Sequence, residues 1–489
     1  MERIIRDRAL ADMAVGEIRV TGLSRRQIFK MMGMTAAGAM VAPFSLYNAP
    51  AAFGDAAASG YGPLHPKVPL NGAKLTDTIV GDLSRSTLLD LPAGFEYTAL
   101  SITGETMNDG KPVPGRHDGM ACFSAPNGGT VLIRNHELSP GPDEFGNSAG
   151  VDAPPGKRWD NAATGGATSL LVGGDGRLVR HFGVLGGTLR NCAGGVTPWG
   201  SWISCEESVK VPSRHNGLKR KHGYNFEIPA AARGFVEPIP LTAMGRFNHE
   251  ATATDPRTGH VFQTEDRGDS AFYRFRPTQY GKLRAGVLEA MVIDDRRLSR
   301  DANGAADTRS GVLSLRNKPL SVRWVPIEDV DPASDTVRDE AHAKGAALFA
   351  RGEGACAVNG LIYFVCTSGG DDGNGQVWAH DPAASTVTLV VESVARSELD
   401  NPDNITVSPD GSLYLCEDGD GEQFVVGVTP RGGLFKFARN SIRRPDRGGT
   451  ADNTEFAGAC FSQNGRHMFL NNQSIGITYC IWGPWDRLR

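Results

Sequence analysis

Short apolar runs separated by turns rich in glycine, asparagine and aspartate dominate the chain after about residue 80. Runs of this length, bounded by such turns, predict antiparallel strands joined as hairpins. The stretch "DPRTGHVFQTED" shows the pattern, with a turn followed by strand-forming residues and two terminal acids. We therefore expect a mostly β protein.

This strand-turn-strand pattern repeats six times, and each copy begins with a residue that can bind a metal ion. The copies are residues 118–137, 192–207, 250–266, 353–370, 403–419 and 455–473. The last two gaps between copies are about 50 residues, close to the length of one four-stranded propeller blade. The sequence predicts an all-β fold, an irregular six-bladed β-propeller with inserted loops and cap elements.

The two ends of each repeat should meet in the folded hairpin, because the start of one antiparallel strand lies beside the end of the next. Six hairpins around one axis then place these polar residues in a ring at one mouth of the central channel. The ring comprises Asp118, Asn135, Glu137, Cys192, Glu206, Glu207, Glu250, Glu265, Asp266, Glu353, Thr367, Asp403, Glu417, Asp418, Glu455 and Asn472. Crowded carboxylates cannot all stay ionised unless cations neutralise them. The ring therefore predicts bound metal ions.

The ligand types indicate more than one kind of metal. Carboxylate and amide oxygens suit calcium, whereas the single thiolate of Cys192 favours a softer or more highly charged ion such as iron. Neither H-E-x-x-H nor a Cys/His zinc spacing occurs. A nucleophilic role for Cys192 is the alternative, but its neighbours supply no paired base.

Two arginines could bind an anionic substrate at this ring. Arg351 precedes Glu353 by two positions, and Arg134 is next to Asn135. A guanidinium can hold a phosphate through two parallel hydrogen bonds. For either arginine alone, a surface salt bridge is the commoner role.

Composition excludes one class of partner. The formal net charge is -4 and the sequence pI is about 6.3. With no basic stripe, we expect no nucleic-acid binding. The eight cysteines contain no C-x-x-C pair, and most are expected to be buried thiols.

The N-terminal stretch "LSRRQIFKMMGMTAAGAMVAPF" resembles a twin-arginine export signal, with Arg25 and Arg26 before a short apolar segment. An amphipathic helix with a chance arginine pair is the alternative. We assign residues 1–55 to a signal peptide and linker, and residues 56–489 to a propeller domain with an insertion around 275–345. We expect a periplasmic or secreted protein that meets the twin-arginine translocase during export and has no stable membrane span when mature.

The chain resembles the PhoX-type alkaline phosphatases over roughly residues 80–485. The resemblance rests on "RNHE", "CAGGVTPWGSWISCEE", "GRFNHE", "TEDRGDSAFYRF", "DNPDNITVSPDGSLYLCEDG" and "EFAGACFSQNGRHMFLNNQSIGITYCIWGPW", in this order. It implies hydrolysis of phosphomonoesters at a cluster of ferric iron and calcium. It also implies phosphate contacts from Asn135 and Arg351.

By position, the resemblance makes Cys192 the iron-binding thiolate. It suggests as further metal ligands Glu206, Glu250, Glu265, Glu353, Asp403 and Glu417, and the ring adds Asp118 and Glu137. Where the family often has Arg-Pro-Glu, this chain has Arg351-Gly352-Glu353. Glycine frees the backbone that proline would fix, which affects where Arg351 is held.

Two other functions fit an acidic propeller. One is a calcium-dependent lactonase or phosphotriesterase, since axial calcium can also polarise a lactone carbonyl. The other is a non-catalytic periplasmic binding protein stabilised by calcium.

Overall fold

A computed structural model describes residues 60–141, 149–430 and 432–488 of the protein. The predicted signal peptide and linker, residues 1–55, lie outside the described residues. Within the described ranges the chain forms thirty β-strands and one α-helix, so the mostly β prediction is confirmed.

The strands are arranged as six blades preceded by three N-terminal strands. The N-terminal strands are β1 (Leu64–Lys67), β2 (Leu89–Pro92) and β3 (Glu96–Leu100). Blade 1 contains β4 (His117–Ser124), β5 (Thr130–His136), β6 (Gly165–Val172) and β7 (Leu178–Thr188). Blade 2 contains β8 (Asn191–Val196), β9 (Ser201–Glu206) and β10 (Asn225–Pro229). Blade 3 and the segment that follows it are β11 (His249–Thr254), β12 (Val261–Glu265), β13 (Tyr273–Gln279), β14 (Lys282–Ile293), β15 (Ser299–Arg300), β16 (Ala306–Asp307), β17 (Leu320–Pro326) and the helix α1 (Val337–Ala343).

Blades 4 to 6 complete the chain. Blade 4 contains β18 (Gly352–Val358), β19 (Leu361–Cys366), β20 (Gln376–Asp381) and β21 (Thr386–Glu392). Blade 5 contains β22 (Pro402–Val407), β23 (Leu413–Glu417), β24 (Phe424–Val428) and β25 (Leu434–Asn440), and is followed by the small pair β26 (Arg443–Arg444) and β27 (Thr450–Ala451). Blade 6 contains β28 (Phe456–Phe461), β29 (His467–Asn472) and β30 (Ile477–Trp482). Short 3-10 turns lie at Gly72–Lys74, Pro126–Gly128, Thr242–Met244, Leu313–Leu315, Pro445–Arg447 and Trp485–Arg487.

The first strand of each blade lies against the first strands of its two neighbours. The contacts run β4 to β8, β11, β18, β22, β28 and back to β4. This closed ring is the signature of a six-bladed propeller, and the predicted fold class is therefore confirmed. The N-terminal β3 pairs with β30 and completes blade 6, while β1 and β2 extend blade 5.

Neighbouring blades pack face to face, because successive residues of a strand point to opposite faces of its sheet. On β5 of blade 1, Leu132 packs in an apolar cluster with Phe469 of blade 6. The next residue, Ile133, packs in a different cluster with Trp202 and Phe226 of blade 2. The hydrophobic core therefore lies between the blades.

The region around residues 275–345 joins two blades. The long strand β14 pairs with β17, and β17 pairs with β21, so blades 3 and 4 share one nine-stranded sheet. The helix α1 lies in the same region, and its Arg338 approaches the Glu265 carboxylate of blade 3 at 3.5 Å. The proposed domain boundaries stay a prediction.

Within the three described ranges, no helix combines the length and the apolar character needed to cross a membrane.

Candidate metal centre and active site

The same pairing opens the inner hairpin of every blade. The residue that begins the first strand pairs with the residue that ends the second. In blades 1 to 5 a register shift follows at once, whereas in blade 6 the pair Ala457 with Asn471 comes before the shift. The six pairs are His117 with His136, Asn191 with Glu206, His249 with Glu265, Gly352 with Cys366, Pro402 with Glu417, and Phe456 with Asn472. Bulges of this kind re-aim side chains and are common beside active sites.

In five hairpins, the residue at this bulge is one of the predicted metal ligands. These residues are Asp118, Cys192, Glu250, Glu353 and Asp403, all of them buried. The bulge therefore explains why one repeat position can aim five potential ligands at the same mouth of the channel.

The second strand of three hairpins ends in two consecutive acids that point in opposite directions. We call Glu206, Glu265 and Glu417 the first acids, and Glu207, Asp266 and Asp418 the second acids. The alternation of side chains along a strand separates the two sets. The second acids face the mouth, and the first acids face away from it.

Glu206 is the clearest first acid, and its carboxylate is fully occupied by hydrogen bonds. It accepts hydrogen bonds from the backbone N–H groups of Leu189 (2.9 Å), Gly223 (2.8 Å) and Tyr224 (3.2 Å). It also contacts Nδ1 of buried His222 at 2.6 Å. The structure therefore does not bring Glu206 to the other proposed metal ligands.

The other two first acids also contact their own blades. Glu265 accepts a hydrogen bond from the hydroxyl of Tyr273 (2.8 Å), and burial raises its pKa to about 7. Glu417 accepts hydrogen bonds from the backbone N–H groups of Asp400 (2.9 Å) and Phe424 (3.1 Å), and burial raises its pKa to about 8. Like Glu206, neither residue joins the groups described next.

Three overlapping groups of acidic side chains cross the mouth of the channel. Within each group, one ligand atom from every residue lies within 4.8 Å of the others. The groups are Cys192, Glu207 and Glu250; Glu250, Glu353 and Asp403; and Asp403, Asp418 and Glu455. Glu250 and Asp403 each belong to two groups, so the three form one continuous chain, which we call the acidic chain.

The acidic chain is strongly repulsive without cations. Burial and then the charge of Asp403 raise the pKa of Glu250 well above its usual range. Burial and then the charge of Asp418 raise the pKa of Asp403 to about 7. Apart from the nearby Cys192 thiol, neither carboxylate oxygen of Glu250 has a hydrogen-bond partner among the described residues. Unpartnered buried carboxylates of this kind fit bound cations.

Asp118 and Glu137 lie beside the Cys192 end of the acidic chain. The Asp118 Oδ2 atom is 3.6 Å from the Cys192 Sγ atom. Gln473 of blade 6 donates hydrogen bonds from one amide nitrogen to both Asp118 (3.2 Å) and Glu137 (2.9 Å). The structure thus brings these two predicted ligands to the edge of the site.

Arg351 lies over the middle of the acidic chain. Its Nε and Nη2 atoms donate hydrogen bonds to the two oxygens of Asp266, at 2.7 and 3.1 Å. Nη2 is also 3.0 Å from a Glu353 oxygen. The side chain is 41% exposed, and Nη1 has no partner among the described residues. Arg351 can therefore present the Nη1 edge of its guanidinium, its free edge, to a ligand.

The backbone places arginines at equivalent rim positions in three blades. Arg116, Arg190 and Arg351 have φ values of 50°, 47° and 53°. The carbonyl of each accepts a hydrogen bond from the residue just beyond the second strand, as in Thr367 N–H to Arg351 at 2.9 Å. Left-handed backbone is uncommon outside glycine, and such residues concentrate at functional sites. Gly352 directly follows one of these arginines.

Asn135 lies beneath Cys192 and not at the rim. Its amide nitrogen donates to the backbone carbonyls of Cys192 (3.1 Å) and Ala193 (2.7 Å). Its oxygen accepts hydrogen bonds from Trp202 (3.0 Å) and Ser204 (2.8 Å). All its hydrogen-bonding groups are thereby used in supporting the hairpin of blade 2. Contact of Asn135 with phosphate stays a prediction.

Arg134, the other arginine considered for phosphate, is fully buried. It donates hydrogen bonds to the Ser101 carbonyl (3.1 Å) and to the Thr478 hydroxyl (2.7 Å). It therefore links blade 1 to blade 6, away from the mouth.

Three members of the acidic chain belong to the ring that the repeat predicts but are not among the predicted metal ligands: Glu207, Asp418 and Glu455. The sequence contains a signal for the first two, since Glu207 directly follows the predicted ligand Glu206 and Asp418 directly follows the predicted ligand Glu417. Glu455 was aligned with the bulge residues, but its carbonyl accepts the N–H of Gln473 at 3.2 Å. Glu455 therefore occupies the position that Arg351 occupies in blade 4.

Comparison with known proteins gives one family and several distant folds. The model of the alkaline phosphatase PhoX family matches residues 77–182 and 176–476. A search of curated proteins found no match. Similar solved structures include a gluconolactonase from Xanthomonas campestris, with 11% identity and a TM-score of 0.36 over 86% of this chain and 98% of that chain. They also include the WD40 β-propeller domain of Doa1, with 10% identity and a TM-score of 0.38 over 81% of this chain and 100% of that chain. TM-scores this low do not support an assignment of fold or function, so the propeller assignment rests on the contacts between the first strands of the six blades.

Proposed function

Because the chain belongs to the PhoX alkaline phosphatase family, a family of phosphomonoesterases, we propose that it hydrolyses phosphomonoesters at a calcium and iron cluster held by the acidic chain. The observation that carries the proposal is the acidic chain itself, in which five blades contribute to three overlapping groups at one mouth.

The donor atoms favour a division of the site between two metals. Cys192, Glu207 and Glu250 combine one thiolate with two carboxylates, a set that suits ferric iron. The other two groups contain only carboxylate oxygens, which suit calcium. Asp118, whose Oδ2 atom is 3.6 Å from the thiol, could add a ligand at that end, and Glu137 shares the amide of Gln473 with Asp118.

When bound, these metals supply positive charge that offsets the phosphate charge and polarises its oxygens. The chain's own residues bind and orient the substrate. The free edge of Arg351 donates to a phosphate oxygen, while Asp266 and Glu353 fix the plane of the guanidinium from its other side. Asn135 holds the backbone that carries Cys192. We therefore propose that the phosphate binds between the free edge of Arg351 and the acidic chain.

We further propose that the protein acts in the periplasm or outside the cell after twin-arginine export. The support is the sequence around Arg25 and Arg26. Replacing both with lysine should leave the enzyme in the cytoplasmic fraction, as measured by phosphatase activity after cell fractionation. Normal export of this variant would contradict the proposal.

The direct test is hydrolysis of p-nitrophenyl phosphate by metal-loaded protein across pH 6–10, with and without a chelator. We expect activity that the chelator abolishes, and we expect Cys192→Ala to lose both iron and activity. Cys205→Ala is the matched control, because this buried thiol lies on the same hairpin but outside the acidic chain. Metal-loaded protein that hydrolyses lactones but no phosphomonoester, or an active Cys192→Ala variant, would contradict the proposal.

A further inference from the structure

Two thiols meet where the last blade of the ring closes on the first. Cys122 lies on β4 of blade 1 and Cys460 on β28 of blade 6, with their Sγ atoms 3.1 Å apart. A disulfide bond is about 2.05 Å long, so the two sulfurs need to approach by only about 1 Å. Both side chains lie in the apolar cluster that contains Leu132 and Phe469.

Hydrogen bonds across the same interface hold the two strands together. Gln463 of blade 6 donates its amide to the carbonyl of Cys122 at 3.1 Å. Asn471, also of blade 6, donates its amide to the carbonyl of Asp118 at 2.6 Å. A Cβ at Gly458 would lie only 2.4 Å from that carbonyl, so this close approach of the backbones requires glycine. The two cysteines are therefore fixed opposite each other by the fold.

We propose that Cys122 and Cys460 form a disulfide bond that closes the propeller ring under oxidising conditions. This inference does not rest on the proposed phosphatase function. The two residues are 338 positions apart, so the bond would constrain nearly the whole ring. Cross-links that close long loops restrict the unfolded chain most.

The oxidant is a small-molecule disulfide such as oxidised glutathione. Cys460 is the more exposed of the pair, at 8% against 3%, and its thiolate attacks one sulfur of the oxidant, which releases one thiolate. The Cys122 thiolate then attacks the Cys460 sulfur and displaces the second thiolate of the oxidant. One S–S bond forms and one breaks, the two protein thiols give up their protons, and two electrons reduce the oxidant to two thiols.

Alkylation of the metal-loaded protein after incubation with oxidised glutathione tests the proposal. The protein is denatured in an alkylating reagent and its intact mass is measured before and after reduction. We expect two fewer alkylated cysteines before reduction than after it, and a non-reduced digest that contains a Cys122–Cys460 peptide. The oxidised protein should also melt about 5 °C above the reduced protein.

Two serine variants give matched controls. Cys122→Ser should alkylate fully without reduction, and its melting temperature should not respond to reductant. Cys480→Ser should keep the cross-link, although Cys480 lies in the same apolar cluster. Full alkylation of the wild-type protein, or a cross-link from Cys122 to Cys480, would overturn the proposal. The number of alkylated cysteines in the wild-type protein tests the disulfide proposal even if a serine variant fails to fold.

Discussion

The first and second acids of the inner hairpins are neighbours in the chain with opposite surroundings. Glu206 is surrounded by donors, with three backbone N–H groups and His222 directed at its carboxylate. The next residue, Glu207, faces Cys192 and Glu250, and burial raises its pKa well above the usual range. The same contrast recurs between Glu417 and Asp418 in blade 5.

The difference shows that burial alone does not identify a metal ligand. Glu206 and Glu417 are as buried as the metal-site acids, but backbone N–H groups donate hydrogen bonds to both of their carboxylates. The members of the acidic chain face other carboxylates, and among the described residues the cationic side chains that pair with them are Arg190 and Arg351. Glu207 also accepts a hydrogen bond from Asn248 (3.0 Å) and pairs with Arg190. What distinguishes the acidic chain is therefore the closeness of its carboxylates to one another, which bound cations would offset.

The largest expected effect separates a member of the acidic chain from a first acid within blade 3. Glu250→Gln should lower kcat/KM at least about 100-fold, because Glu250 belongs to two of the three groups. Its metal-free form should not become less stable, since the carboxylate it loses is unpartnered. Glu265→Gln is the matched control, and it should lose stability but keep metal and activity once folded. Equal loss of activity in both variants would remove the distinction.

A smaller effect is expected at Arg351, which links a second acid to the substrate. Arg351→Lys should raise KM for p-nitrophenyl phosphate about 10-fold, because lysine cannot hold Asp266 and a phosphate through a planar fork. Arg276→Lys is the control, since Arg276 pairs with Glu289 on the outer strands of blade 3, away from the acidic chain. An unchanged KM in Arg351→Lys would place the phosphate elsewhere.

The smallest expected effect is on stability in the absence of metal. The pKa values of Asp403 and Asp418 are raised to about 7 and about 6, mainly by burial, from 3.8. An acid whose pKa is higher in the folded chain stabilises the fold while protonated, and this contribution is lost as the pH rises through the folded-state pKa. Chelated protein should therefore melt about 5 °C lower at pH 8 than at pH 5. Asp403→Asn should weaken this dependence; a melting temperature that rises with pH would contradict the account.

Sequence reasoning predicted the fold well because its signal is periodic. The repeat starts, the turns and the strand-end acids recur along the chain, and the inner hairpins of blades 1 to 5 have the same register in the structure. The five bulge residues could likewise be selected, because each opens its repeat with a ligand-type side chain.

Which of two consecutive strand-end acids faces the acidic chain depends on the strand register, and a sequence specifies this register less directly than the positions of the strands. A shift of one residue moves a side chain to the opposite face. For this reason the sequence predicts Glu206 and Glu417 as metal ligands, whereas the structure brings Glu207 and Asp418 to the acidic chain. The surroundings of Asn135 could not be predicted for a different reason, since its amide donates to backbone carbonyls of another blade. Long-range contacts of that kind leave no local pattern.

The most direct test of the account is the metal content of Glu207→Gln and Glu206→Gln, measured by elemental analysis of folded, exported protein. The account predicts that Glu207→Gln loses iron, whereas Glu206→Gln keeps the wild-type iron and calcium and has a lower melting temperature. Iron loss in Glu206→Gln with full iron in Glu207→Gln would contradict the assignment of the acidic chain.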